Sequence, residues 1–355
     1  MNKSPDHPTR YYTEVFHRKR RKVLLAAVSL LISFTAAEVA ARLVLPPPMQ
    51  IGKRRFWDSS SPKHVPDPEL GWIIEPGNTR YRFRAASESG SVDVGYSIEQ
   101  GRRATSARPA AGPLLIAAGC SFTFGYGVDD QDTWPWLLQE RLSGFRVANV
   151  GTNGYGTDQA LLAAERAASN PADPARVIVL GFGDFQIERN RSTQAIVYYP
   201  WPLAKPMFRT RGEGVESSGL VRFWYPGSLL DRSEFVMNVV NRLANLVNRV
   251  PDHAGARELT ARLIVEFARR FEARGTRFVI VILPHKNDQS RLSKEDREFI
   301  VERLRAAGLP TLIPDYPRLP DGQLDRQRFL IPSDQYHPNR DYNIMLADQL
   351  ARLLH

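Results

Sequence analysis

From Leu114 onward, short apolar runs alternate with segments of helical periodicity, and this alternation limits what the chain can fold into. The runs are Leu114–Ala118, Arg146–Val150, Arg176–Leu180, Arg277–Leu283 and Thr311–Ile313. The helical segments are Thr133–Leu142, Thr157–Ala168, Ala256–Arg274, Lys294–Ala307 and Asn339–Leu354. Strands apolar on both faces and separated by helices form a parallel sheet covered on both sides. The expected class is α/β, a flavodoxin-like three-layer α/β/α fold with a five-stranded parallel sheet. Between the third and fourth strands lies an insertion of about residues 184–255. It carries an aromatic, Pro-rich part, Tyr198–Trp201, read as core packing, and a helix from Ser233 to Val247. Residues 46–110 are punctuated by proline and read as a stalk with a small β-rich lead-in, in which Tyr81–Ala86 and Ser91–Ile98 pair as a hairpin.

Charge divides the chain a second way. The 355 residues are 43% hydrophobic and carry a net +10, a balance that invites a nucleic-acid or membrane-surface reading. Met1–Lys22 holds seven basic against two acidic residues, half of that excess. Val23–Leu45 follows, its first 15 residues uncharged, and Pro46–Pro48 stop it. A helix of this length spans roughly 34 Å, against about 30 Å of bilayer core. Glu38 and Arg42, one turn apart near its far end, are spaced to pair. The expected organisation is a basic cytoplasmic tail (1–22), a transmembrane signal-anchor (23–45), the lead-in (46–110) and an extracytoplasmic domain (111–355). The small residues Ala36, Ala37, Ala40 and Ala41 also suit a cleaved signal peptide, and a soluble amphipathic helix is a third reading. The bilayer is thus the expected partner. Leu114–His355 has no basic stripe interleaved with aromatics, so no nucleic acid is expected. One cysteine excludes an intrachain disulfide framework, and no His/Asp/Glu set has metal-ligand spacing, so neither metal nor cofactor is expected.

Doubly wound sheets bind ligands beyond the carboxyl ends of their strands. After the first run comes Gly119-Cys120-Ser121, a tight turn on which Ser121 is a candidate nucleophile with its own N–H facing the reacting carbonyl. After the second comes Asn149…Asn153-Gly154-Tyr155-Gly156, whose glycines permit close backbone approach, with Thr157 expected to cap the next helix. The third run ends Gly181-Phe182-Gly183-Asp184. Near the end of the chain stands Asp334-Gln-Tyr-His337-Pro338, spaced so that the Asp can accept from His Nδ1–H while Nε2 faces Ser121. His285, beside Lys286 and Asp288, and His253 read as loop residues.

Together these four blocks resemble the SGNH/GDSL hydrolase family. Gly119-Cys120-Ser121 stands where many members have Gly-Asp-Ser, Gly154 matches an oxyanion glycine, and Asp334…His337-Pro338 matches the last block in full. The resemblance covers about Leu114–His355 without the insertion. It implies the SGNH hydrolase fold, with Ser121 as nucleophile, His337 as base, Asp334 orienting it, and no cofactor. Two departures stand out. Cys120 replaces the usual Asp, and its side chain is expected to point away from that of Ser121. Gly183 replaces the asparagine of the third block, an oxyanion donor. Its backbone N–H, or the amides of Asn153, Gln186 or Asn190, are the candidate replacements, and Asn153 and Asp184 are candidate substrate contacts. The expected function is an exported serine esterase acting on an ester or O-acetyl group of a small molecule or an envelope glycan. An O-acyltransferase with the same triad, and a non-catalytic module in polysaccharide assembly, are the alternatives.

Overall fold

The computed structural model describes residues 8–44, 64–87, 90–107, 111–191, 205–221, 233–285, 289–332 and 336–355. In chain order its elements begin with helix α1 (Pro8–Val44) and strands β1 (His64–Asp67), β2 (Gly71–Ile74), β3 (Thr79–Ser87), β4 (Gly90–Glu99) and β5 (Arg102–Arg103). Then come β6 (Leu114–Ala118), α2 (Ser121–Phe124), α3 (Trp134–Arg141), β7 (Arg146–Asn149), α4 (Thr157–Ala168), β8 (Ala175–Phe182) and α5 (Gln186–Asn190). The insertion adds β9 (Lys205–Arg211), β10 (Gly214–Val221) and α6 (Glu234–Val247). The chain finishes with α7 (His253–Glu272), β11 (Arg277–Ile282), α8 (Arg291–Ala306), β12 (Thr311–Leu312), α9 (Arg326–Phe329) and α10 (Arg340–Leu354).

The main sheet runs in the order β12-β11-β8-β6-β7-β5-β4-β3. Its first five members pair in parallel, with the chain's first parallel strand, β6, between the second and third. That is the flavodoxin-like order, and its switch point lies where β6 meets β8. The expected five parallel strands are therefore present, but the sheet is mixed and has eight strands. The lead-in continues it antiparallel: Arg103 of β5 pairs with Asn149 of β7, and the long β3–β4 hairpin follows. The single Arg103–Asn149 pair covers only the carboxyl end of the β7 edge.

Helices α4, α7 and α8 pack along one face, and α3 and α10 pack together on the other. Leu115, Ile116, Ile178, Val179, Val279 and Ile280 are fully buried between them, as the unbroken apolar runs require. Caps set the helix starts: Thr133 Oγ1 accepts from Trp136 N–H at 3.3 Å, and Asn339 Oδ1 from Tyr342 N–H at 3.2 Å. Thr157, expected as a cap, is instead the first residue of α4. Gly156 holds the cap position, its N–H donating to Gln159 Oε1 at 3.2 Å.

By compactness the chain divides into Met1–Gly52 with Tyr225–Leu243, and Lys53–Trp224 with Ala244–His355. In the first unit α1 is one helix that absorbs the basic tail. Its segment Phe16–Val44, 29 residues containing an 18-residue stretch with a mean hydropathy of 2.1, is long and apolar enough to cross a bilayer. Glu38 pairs with Arg42 at 2.8 Å, as its spacing predicts. It also accepts from Ser233 Oγ at 2.7 Å and from Phe235 N–H at 3.1 Å, so it caps the start of α6. The segments 46–63 and Tyr198–Trp201 lie outside the described residues.

Candidate active site

Ser121 is the first residue of α2, directly beyond the carboxyl end of β6 and thus at the switch point. Its Oγ lies 2.9 Å from His337 Nε2, although the two residues are 216 positions apart. At that distance the hydroxyl donates to an unprotonated Nε2. His337 is held from behind by its backbone: its carbonyl accepts from Ile331 N–H at 2.9 Å, and Asn339 N–H donates to Phe329 O at 3.0 Å. Its ring is boxed by Tyr126, Tyr336 and Phe122, at centroid distances of 4.5, 5.3 and 5.6 Å. Cys120 is fully buried at the cap position of α2, away from this contact. Asp334, the expected third member, lies outside the described residues.

The turn after β7 approaches the Ser121 turn closely. A Cβ on Gly151 would fall 2.6 Å from Phe124 N, so only glycine allows the two backbones to come this close. Gly154 has φ +80°, the left-handed region that favours glycine. Its N–H and that of Ser121 have no acceptor among the described residues. The Asn153 carbonyl accepts from Trp72 Nε1–H at 3.2 Å, which ties this turn to β2.

The third block differs from expectation. Gly183 N–H already donates to Gln186 Oε1 at 3.1 Å, so it is not an open oxyanion donor. A Cβ at Gly183 would fall 2.3 Å from Phe185 Cε1: the Phe185 ring fills the place an asparagine side chain would take. That ring packs on Phe122 at 5.2 Å and on Tyr336 at 5.6 Å. Asn190 is also consumed, accepting from Asp158 N–H at 3.3 Å and donating to Thr260 Oγ1 at 2.6 Å. The Gln186 amide nitrogen has no partner among the described residues, but the side chain is wholly enclosed.

Asp184, expected at the substrate, faces inward instead. One carboxylate oxygen meets His285 Nε2 and accepts from Phe185 N–H, and the other accepts from Ser293 Oγ–H. Burial pushes this carboxyl up, but these hydrogen bonds and the His285 ring outweigh it and hold the pKa below the usual value. His285 is therefore 5% exposed rather than a solvated loop residue. The network joins the ends of β8 and β11 to α8 beneath Phe185 and Tyr336.

Three features escape sequence reasoning. Arg103 is fully buried behind the nucleophile turn, donating to the carbonyls of Gly125 at 3.0 Å and Val128 at 2.7 Å and pairing with Asp130 at 2.5 Å. Its guanidinium lies over the Tyr96 and Phe124 rings at 4.2 and 4.9 Å. Tyr96 in turn accepts from Gly127 N–H at 2.8 Å, and burial pushes its hydroxyl up to about 12. The second feature is Lys205, fully buried with its ammonium on Asp158 in the first turn of α4.

The third is His253, expected in a loop. It opens α7 with Nδ1 2.5 Å from Glu188 and Nε2 2.9 Å from Asp296. Both nitrogens donate to these carboxylates only when the ring is protonated. Desolvation pulls its pKa down, but the two carboxylates raise it above 6.5. A raised folded pKa gives stability that is fully present below the unfolded pKa and lost as pH climbs through the folded one. The thermal-midpoint gap between wild type and His253→Gln is thus expected to be widest near pH 6 and to shrink by pH 9. A gap independent of pH refutes the imidazolium.

No family model matches the sequence, and no curated protein matches it. Solved structures do. A member of the lipolytic protein G-D-S-L family from Veillonella parvula DSM 2008 is similar at 14% identity and TM-score 0.40, over 68% of this chain and 98% of that one. The psychrotrophic esterase EstA from Pseudoalteromonas sp., inhibited by monoethylphosphonate, is similar at 10% identity and TM-score 0.39, over 68% and 96%. LAE5, an alpha/beta hydrolase enzyme from the metagenome of Lake Arreo, is similar at 12% identity and TM-score 0.39, over the same shares. The fold assignment rests on the strand order itself.

Proposed function

We propose that the chain is a serine esterase of the SGNH/GDSL type, held by α1 at a membrane with its catalytic domain outside. The observation that carries this is the 2.9 Å contact between Ser121 Oγ and His337 Nε2 at the switch point, beside two open backbone N–H groups. Ser121 Oγ attacks the ester carbonyl and its proton passes to His337 Nε2. The N–H groups of Ser121 and Gly154 meet the negative charge that develops on the carbonyl oxygen. The imidazolium returns the proton to the leaving alcohol, which leaves an acyl-Ser121. Water, deprotonated by His337, then releases the acid. Asp334 accepts from His337 Nδ1–H in this reading. With a sugar hydroxyl in place of that water, the same steps make an O-acyltransferase.

The basic tail keeps the N-terminus of α1 cytoplasmic and so exports the domain. The substrate in this reading is an acylated small molecule or an envelope glycan, and Asn153 belongs to the turn that faces it. The test is made on the full-length protein in detergent. It should hydrolyse an aryl acetate, and a fluorophosphonate probe should label Ser121. An unlabelled serine together with no turnover removes the hydrolase reading.

A further inference from the structure

The sheet is thinnest where the lead-in joins it, since β5 and β7 share a single residue pair, Arg103 with Asn149. Beside that bridge lies a cleft of about 720 Å³, lined by residues from β3, β4, β5, β7 and the segment after β5. This volume falls within the usual range for small-ligand sites. The cleft is not shaped for another strand. At Val147 the exposed edge of β7 is already satisfied, its N–H by Gln139 Oε1 at 2.7 Å and its carbonyl by Thr105 Oγ1 at 2.7 Å. What the lining offers is charge and hydroxyl or amide groups. Arg80, Arg102, Arg103 and Arg146 line it, with Glu99 as the one acidic residue of the lining; Arg103 is already paired with Asp130.

Arg146 is taken by Asp173 at 2.5 and 2.6 Å. Arg80 and Arg102 have no hydrogen-bond or ion-pair partner among the described residues. Partial burial, and then the like charge of Arg146, hold Arg102 below its usual pKa against the opposing charge of Asp173. We propose that this cleft binds an acidic oligosaccharide, with Arg80 and Arg102 forking the carboxylates and the polar lining receiving sugar hydroxyls. Planar guanidinium groups match carboxylates in two-point contacts, and neutral amides and hydroxyls match a polyol. The site does not depend on whether Ser121 is catalytic.

The test uses the full-length protein in detergent micelles, titrated calorimetrically with tri-galacturonate, maltotriose and inorganic phosphate. Tri-galacturonate should bind, and maltotriose should bind at least about tenfold more weakly. Arg80→Gln and Arg102→Gln should each weaken tri-galacturonate about tenfold while leaving the thermal midpoint in place, because both side chains are solvent-facing. Three results overturn the proposal: no binding of tri-galacturonate, equal binding of maltotriose, or unchanged affinity in the double variant Arg80→Gln/Arg102→Gln. Phosphate binding as tightly as the trisaccharide would also overturn it, by assigning the cleft to phosphate alone.

Discussion

Ser121→Ala is expected to lower kcat/KM on an aryl acetate by at least about 10³-fold, with KM little changed. The variant keeps every backbone donor of the turn and loses only the oxygen that lies 2.9 Å from His337 Nε2. His337→Ala should cost a similar factor, because a serine hydroxyl is a weak nucleophile without its base. The double variant should be no slower than either single one. Residues that act as a unit do not add, and the second removal finds nothing left to disable. Steady-state rates on the three proteins decide this. If the losses multiply, or if His337→Ala retains most of the activity, the two residues do not form a proton-transferring pair. Fold loss is controlled by the thermal midpoint, which should be nearly unchanged in Ser121→Ala.

Lys205→Met should be the most destabilising single change among the polar residues described. Both members of the Lys205–Asp158 pair are buried, at 0% and 1% side-chain exposure. Removing the cation leaves a carboxylate enclosed without its counter-charge, which costs about 3–5 kcal/mol. In a protein of this size that lowers the thermal midpoint by roughly 4–8 °C. Adding Asp158→Leu to Lys205→Met should restore much of the loss, because the penalty belongs to the unpaired charge and not to the pair. A Lys205→Met midpoint within about 2 °C of wild type would show that Asp158 is neutral or hydrated in place. The reading carries into function too. Asp158 lies in the first turn of α4, next to the Gly154 turn, so Lys205→Met should also slow labelling of Ser121.

Much of this architecture is legible in residue order, because the information is local. Unbroken Val and Ile runs between helical periods require strands buried on both faces, and the five parallel strands follow. The glycine-flanked Ser121 and the His337-Pro338 pair fall at strand and helix ends, where doubly wound sheets place their ligands. What stays illegible depends on distant partners. A two-residue strand of Arg102 and Arg103 has no period to read, so nothing foretells that the sheet passes through it. Lys205 looks like any surface lysine until Asp158, 47 residues earlier, is folded against it. Gly183 gives the opposite lesson. Its departure from the third block is visible in sequence, but the reason is the Phe185 ring two residues on, which leaves no room for a side chain. The charged neighbours of His285 suggest solvent, whereas the Asp184 carboxylate draws the ring inward.

Arg103 fixes where the chain can be cut. Ser121 belongs to a parallel sheet that looks self-sufficient from Leu114 onward, yet the carbonyls just beyond it are gripped by an arginine from the preceding segment. Further upstream, Tyr155 Oη–H donates to Trp72 O at 2.6 Å and Gln159 Nε2–H donates to Leu70 O at 2.8 Å. A fragment beginning at residue 111 would keep Ser121 and His337 and lose the backing of both turns beside them. The smallest excisable piece that keeps both turns therefore starts no later than His64, and the lead-in from His64 onward is part of the folded domain rather than a spacer.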